Sequence, residues 1–432
     1  MREFKDSGIP WIGGIPKDWT IELIGNQVKE VNNPNIDCLE DNALQFKMGA
    51  IISKSRGDSK YNPETLEGYN IVDKGVIMLN GLNLSFDLIS QRVGLVRERG
   101  VITSTYLAVK PTNNIDSEYL TYLFKAYDNC KAFHSMGRGL RQTLSYGELR
   151  KYLLVYPSLA EQQRIAEFLN RKCAEVDEMI ALQEQIIEEL KAYKQSVITE
   201  AVTKGLNPDA PMRDSGIEWI GQIPQGWYVT KFYRVCSVIT DFVASGSFES
   251  LRINVPYLDY PDYAMLVRTI DLSGKGRASE KVYISEHSYN FLQNSNLYGG
   301  EIVLPNIGAS VGDVYIVPQL YERMSLAPNA IMFKTEYCDK YWYYYFYSQA
   351  GKQSIFDICQ STAQPKFNKT ELRNIRVCIP TLSEQQAIAD YLDEKCADID
   401  SLILTKQEKI DSLKEYKKSI IYEYVTGKRE VI

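Results

Sequence analysis

Two clusters of side chains in this sequence could do chemistry on nucleic acid. Arg138, Arg141 and Gln142 precede the segment "GELRKYLLVYP", and Gln364, Lys366 and Lys369 hold the corresponding place before "TELRNIRVCIP". Arginine can grip phosphates or guanine edges, and a glutamine carboxamide can meet adenine with paired hydrogen bonds. A solvated turn capping the next helix would use the same residue types, so both readings stand at this level. Further cations lie in "LQFKMGAIISKSR" (44–56) and "MLVRTIDLSGKGR" (265–277), each read as a strand followed by a basic loop. They are Lys47, Lys54 and Arg56 in the first stretch, and Arg268, Lys275 and Arg277 in the second.

The side chains of ordinary catalysis are missing. There are two histidines, His134 and His287, far apart in the sequence, which disfavours a His/Cys zinc site or a His-based triad. No G-x-x-x-x-G-K-[ST] loop occurs, and "GRGLRQ" (137–142) lacks the third glycine of a dinucleotide-binding turn. "NVPY" (254–257) approaches the Asn-Pro-Pro-Tyr signature of amino-methyltransferases, but Val255 stands where a proline belongs and no glycine-rich loop precedes it. Pro261-Asp262 has no nearby Glu-x-Lys, so a nuclease metal site is unsupported. The chain reads as a binder, not an enzyme, with no metal or cofactor of its own.

Eight cysteines without a C-x-x-C pair point to reduced thiols and a cytoplasmic setting. No apolar run approaches the ~20 residues of a membrane span, and the N-terminus has no secretory apolar core. The net charge of −6 argues against a protein that coats nucleic acid over its whole surface. Residues 20–155 carry 16 basic against 15 acidic side chains and residues 228–378 carry 15 against 14, which permits a local basic face without demonstrating one.

The elements that must position these loops are duplicated. "DSGIPWIGGIPKDW" (6–19) returns as "DSGIEWIGQIPQGW" (214–227), with ten of fourteen positions identical. "PSLAEQQRIAEFLNRKCAEVDEMI" (157–180) returns as "PTLSEQQAIADYLDEKCADIDSLI" (380–403), and the likeness runs on to residues 203 and 426. The chain therefore divides into a repeat segment (1–19), an insert (20–156), a long helix (157–204), a linker with the second repeat segment (205–227), a second insert (228–379) and a second long helix (380–432).

In each helix the apolar residues recur at alternating spacings of four and three, as in a coiled-coil seam. The first seam is Leu169, Cys173, Val176, Ile180, Gln183, Ile187, Leu190, Lys194, Val197 and Ala201; the second is Leu392, Cys396, Ile399, Ile403, Lys406, Ile410, Leu413, Lys417, Ile420 and Tyr424. Polar residues interrupt both at matching places, Gln183/Lys406 and Lys194/Lys417, the kind of position that fixes register. Ser383 and Gln386 look like a capping box, with Ala160 in place of the cap in the first copy. The inserts look α+β, with aromatic helices over 117–133 and 339–356 whose tyrosines read as core. Two tryptophans per repeat segment, Trp11 and Trp19, then Trp219 and Trp227, suit a rigid latch: the first copy is expected near the end of the C-terminal helix, the second near the first helix.

On these duplicated motifs, and on the "G-[VE]-I" strand inside each insert, the sequence resembles the specificity subunit of type I restriction–modification systems. The resemblance covers essentially the whole chain; the passage "STAQPKFNKTELRNIRVCIPTLSEQQ" carries it strongly, whereas "GRGLRQTLSYGEL" departs from it in lacking a proline after Gln142. It implies two α/β target recognition domains separated by two long helices that form an antiparallel intramolecular coiled coil, with pseudo-twofold internal repetition. It also implies a non-catalytic subunit in which each domain reads one half of a bipartite double-stranded DNA target and the coiled coil sets the spacer. The implied partners are two DNA-methyltransferase subunits and motor/nuclease subunits. S-adenosylmethionine, Mg and ATP are expected only in those partners. The competing reading is a coiled-coil scaffold with duplicated adaptor domains and no DNA contact. A recognition half orphaned from a fused enzyme is a third, disfavoured by the N-terminal repeat.

Overall fold

The computed structural model describes residues 2–54, 66–84, 91–137, 142–274, 280–360 and 364–431. The chain forms two compact units, one of residues 1–184 with 407–432 and the other of residues 185–406. Each unit combines one insert, one repeat segment and a stretch of each long helix.

In the first unit the repeat segment folds as a hairpin, Phe4–Asp6 against Gly14–Pro16. The insert enters on Thr20–Leu23 and leaves on Leu153–Tyr156, and these strands pair antiparallel with Thr20 opposite Tyr156. Between them lies an antiparallel sheet in the order Val28–Glu30, Leu107–Pro111, Ile77–Leu79, Val93–Leu95. Helix Ser117–Asn129 packs on it, started by Asp116, whose carboxylate accepts the amides of Glu118 and Tyr119. One face of this helix (Tyr119, Leu120, Leu123, Phe124, Tyr127) is buried in a core shared with Trp19, Leu169 and Ile421.

The second unit repeats this plan. Met212–Asp214 pairs with Gln222–Pro224, and Tyr228–Lys231 with Arg376–Ile379. The four-stranded sheet again runs entry-side strand, pre-helix strand, central strand and hairpin partner: Cys236–Asp241, Ala330–Thr335, Ile302–Pro305, Tyr315–Ile316. A further four-stranded sheet, with one parallel pairing of Ala264–Val267 and Met324–Leu326, is added in this unit. The core gathers Trp227, Phe232, Tyr341, Trp342 and Tyr345 with Ile198 and Leu392 of the long helices.

The long helices span Leu159–Lys204 and Leu382–Val425. Within each unit they are antiparallel. Phe168, near the start of the first, packs at a tilt against Tyr424, at the end of the second, with ring centroids 4.4 Å apart. In the other unit Ile198 and Val202 share a core with Ile388 and Leu392.

Several local expectations are corrected. The helix expected over 117–133 ends at Asn129, turns at Lys131 (φ 58°) and restarts as Ala132–Met136. The one expected over 339–356 is two helices, Asp339–Tyr347 and Gln349–Asp357, because Ser348 is extended and caps the second through Gly351 N. Residues 44–56 begin as a hairpin, Leu44–Lys47 with Ala50–Ser53, not a single strand. The capping box of the second long helix lies two residues earlier than Ser383. Thr381 Oγ accepts from Glu384 N at 3.3 Å, while Glu384 accepts from Thr381 N at 3.0 Å. Ser158, in the place of Thr381, likewise accepts from Glu161 N, so the first copy does have a cap.

Candidate nucleic-acid interface

The loops are held by a frame whose hydrogen bonds occur twice. Trp19 and Trp227, each 1% exposed, donate from their indoles to Glu161 (3.4 Å) and Glu384 (3.3 Å) at the starts of the long helices. Tyr119 donates to Val425 O and Tyr341 to Val202 O, tying each insert helix to a long-helix end. Buried Gln162 and Gln385 close the helix entries on Pro157 O and Pro380 O. Trp11 and Trp219 are half-buried. Trp11 sits edge-on to Tyr127 at 5.6 Å and its carbonyl accepts from Tyr422, whereas Trp219 donates to Ser354 Oγ.

Along the seam, Leu169, Val176, Ile187, Leu392, Ile399, Ile410 and Leu413 are buried, and Ile180, Leu190 and Ile403 are half-buried. Two of the four polar interruptions, Lys194 and Lys417, have partners the sequence did not name. Lys194 donates to both carboxylate oxygens of Asp400 (2.7 and 2.8 Å), and Lys417 to both of Asp177 (2.6 Å each). Asp177 and Asp400 occupy the same place in the two repeats, which is the signal that could have found them.

At the C-terminal end of the central strand of the first unit, residues 80–84 lie against residues 142–144. Leu144 N donates to Gly81 O (2.8 Å) and Leu84 N to Gln142 O (3.3 Å). The approach is close: a Cβ on Gly81 would lie 2.5 Å from the Leu144 carbonyl oxygen. Arg92, 1% exposed, braces this loop from below with hydrogen bonds to Asn80 O and Leu82 O, while its own amide donates to Asp128. Burial pushes the Asp128 carboxyl above its ordinary value. Gln142 is thus at this end of the sheet, and so is the 44–53 hairpin tip, where Gly49 nears Gln91 and Val93. Exposed Lys47 stands beside that tip, and Lys54 at the hairpin's opposite end, its amide bonded to Ala43 O. Arg56, Arg138 and Arg141 lie outside the described residues.

In the second unit the same juxtaposition is made with other atoms. Phe367 N donates to Asn306 O, Gly308 N to Pro365 O, and the Asn306 carboxamide to Phe367 O, with Ile307 bridged to Lys366. Gln364 and Lys366 are exposed here, and Lys366 makes no ion pair among the described residues. Lys369 is half-buried and paired with Asp241 at 2.8 Å. Arg268 has a structural employment: it grips Asp271 with two hydrogen bonds and donates to Glu280 O, and the Asp271 bonds raise its pKa further. Lys275 and Arg277 lie outside the described residues. Among the described residues no cluster of metal-ligating side chains occurs, and no helix is long and apolar enough to cross a membrane.

Comparison with known proteins agrees with this geometry. Residues 97–192 and 243–415 match the type I restriction modification DNA specificity domain. The chain is 25% identical to the type I restriction enzyme MjaVIII specificity subunit of Methanocaldococcus jannaschii, over 100% of this chain and 98% of that protein. It is 24% identical to the EcoDI specificity subunit of Escherichia coli, over 67% and 64% respectively. Its fold resembles that of the HsdS subunit from Thermoanaerobacter tengcongensis (TM-score 0.52, 14% identity, 96% of this chain and 98% of that one). A chain from a structural study of complex assembly in the type I R-M system superposes at TM-score 0.66, with 13% identity over 96% of this chain and 99% of that one. These likenesses do not favour the DNA-free scaffold.

Proposed function

The chain belongs to the type I restriction–modification DNA specificity family, and from that premise we propose that its two inserts each read one half of a bipartite DNA target. The observation that carries this reading is the pairing of one repeated frame with two different loop ends. The repeated bonds from Trp19/Trp227, Tyr119/Tyr341 and Gln162/Gln385 hold each insert in the same way. The loop ends carry different side chains, and base edges are distinguished by side-chain donors and acceptors, with backbone phosphates fixing position.

Catalysis is assigned to partner subunits, and the long helices both set the unread gap and dock the methyltransferases. Two features support docking. Tyr193 and Tyr416, at equivalent repeat positions, are 56% and 49% exposed, and Met179 and Leu402, also equivalent, are exposed on the same helices. A patch present twice in one chain suits two copies of one partner. Removing it with Tyr193→Ala should lower the methyltransferase-to-chain ratio from two towards one, measured by mass of the purified complex.

The function is tested by footprinting the chain with its methyltransferase on DNA. Two short protected blocks flanking an unprotected gap are expected, with protection falling steeply as salt rises. A single continuous block, or none, would contradict the bipartite reading.

A further inference from the structure

Asn83 lies in the Gly/Asn loop after the central strand of the first unit, the loop that Arg92 braces. It is exposed, and its backbone is left-handed (φ 50°), as is that of Gln142 across the Leu84–Gln142 hydrogen bond (φ 44°). Glutamine in this region is disfavoured by sterics, so the surroundings must impose it. They do so with glycine. A Cβ on Gly137 would lie 2.8 Å from the Gln142 carbonyl carbon, just as one on Gly81 would collide with Leu144 O. Arg92 then fixes the carbonyls on either side of Gly81. Neither the Asn83 nor the Gln142 carboxamide has a hydrogen-bond partner among the described residues. Two unpartnered carboxamides are thus presented on a rigid, preorganised platform, and such a platform lowers the ordering penalty of binding.

Resting on the DNA-reading function above, we propose that Asn83 and Gln142 are the base-reading residues of the first recognition domain, each meeting the N6/N7 edge of an adenine. A carboxamide supplies one donor and one acceptor at the spacing of that edge in the major groove. Among the described residues the second unit has no such pair: its loop offers Ile307, Gln364 and Lys366, which implies a different half-sequence.

The test uses the full chain assembled with its methyltransferase subunits on a duplex library randomised across the target, read by sequencing the methylated fraction. Asn83→Gly and Gln142→Gly keep the left-handed backbone without strain and remove the carboxamide. Each should relax discrimination at one A·T pair of one half-site by about tenfold or more, leaving the other half unchanged. Asn83→Asp tolerates the same backbone and can only accept, so its preferred base should shift towards cytosine. Unchanged base preference in all three variants, or a uniform loss of methylation over all sequences, would overturn the proposal. An unmodified chain with no two-part preference would instead contradict the specificity role itself.

Discussion

Set side by side, the two units agree at their helix ends and part company at their loop ends. Trp19 and Trp227 donate to glutamates at the same helix position, Lys417–Asp177 and Lys194–Asp400 are the same ion pair in two places, and the entry and exit strands pair in the same register. At the other end, a buried arginine braces residues 80–84 in the first unit, whereas Asn306 secures residues 306–308 in the second. The first loop presents Asn83 and Gln142, the second Gln364 and Lys366. On the proposed function this separates stability from recognition: a residue of the frame should change how firmly a unit holds together, while only a loop residue, or its brace, should change what is read.

The largest expected effect tests the sameness of the frames. Trp19→Ala and Trp227→Ala each empty a fully buried site and should destabilise their own units by about 3–5 kcal/mol, followed by denaturant unfolding. Similar losses with an unaltered half-sequence sharpen the comparison, and a changed base preference breaks it.

The next effect tests the difference. Arg92→Met leaves the Asn80 and Leu82 carbonyls without their donor, an expected loss of about 1–3 kcal/mol. It should also loosen base preference in one half-site only, which a change acting through stability alone would not do.

Smaller still is the seam. Lys194→Met and Lys417→Met remove partly exposed ion pairs, each contributing about 1 kcal/mol or less. The two variants should match within error and lose their difference from the parent as salt is raised.

The smallest is a pH effect confined to the first unit. Burial raises the folded-state pKa of Asp128, so its ionised form opposes folding, and stability falls as pH rises through that folded value. Asp128→Asn should therefore raise the unfolding midpoint at neutral pH. The gain should vanish below the unfolded carboxylate range, where both states are protonated. A gain of equal size at low pH would show that charge is not its origin.

The sequence made the frame legible because the frame is written twice. A duplicated tryptophan segment and a duplicated helix entry marked the unit plan and the inserts, and the 4-3 spacing marked the helices. Local punctuation was harder. Thr381 and Ser383 can both cap, and only the fold shows that Thr381 accepts Glu384 N. Ser348 reads as one polar residue inside an aromatic helix until the chain turns back, where a Cβ on Gly351 would lie 2.0 Å from Tyr345 O.

The loop ends were the least legible. Arg92 looks like an ordinary surface cation in "SQRVGLV", yet it is buried against the Asn80 and Leu82 carbonyls and bonded to Asp128 of the insert helix. Basic residues drew attention by type alone, yet Arg268 and Lys369 are occupied by Asp271 and Asp241. Asn83, a neutral side chain, is exposed and has no hydrogen-bond partner among the described residues. Lys369 meets Asp241 through a long-range approach that no local pattern encodes, whereas Arg268 and Asp271 stand three residues apart and their pairing was open to a local reading.

The central claim, one frame with two interchangeable readers, is tested most directly by exchanging an insert. A chain carrying residues 228–379 in place of 20–156, assembled with its methyltransferase, should methylate DNA that bears the second half-sequence on both sides of the gap. Retention of the original asymmetric target, or a preference containing neither half-sequence, would contradict it.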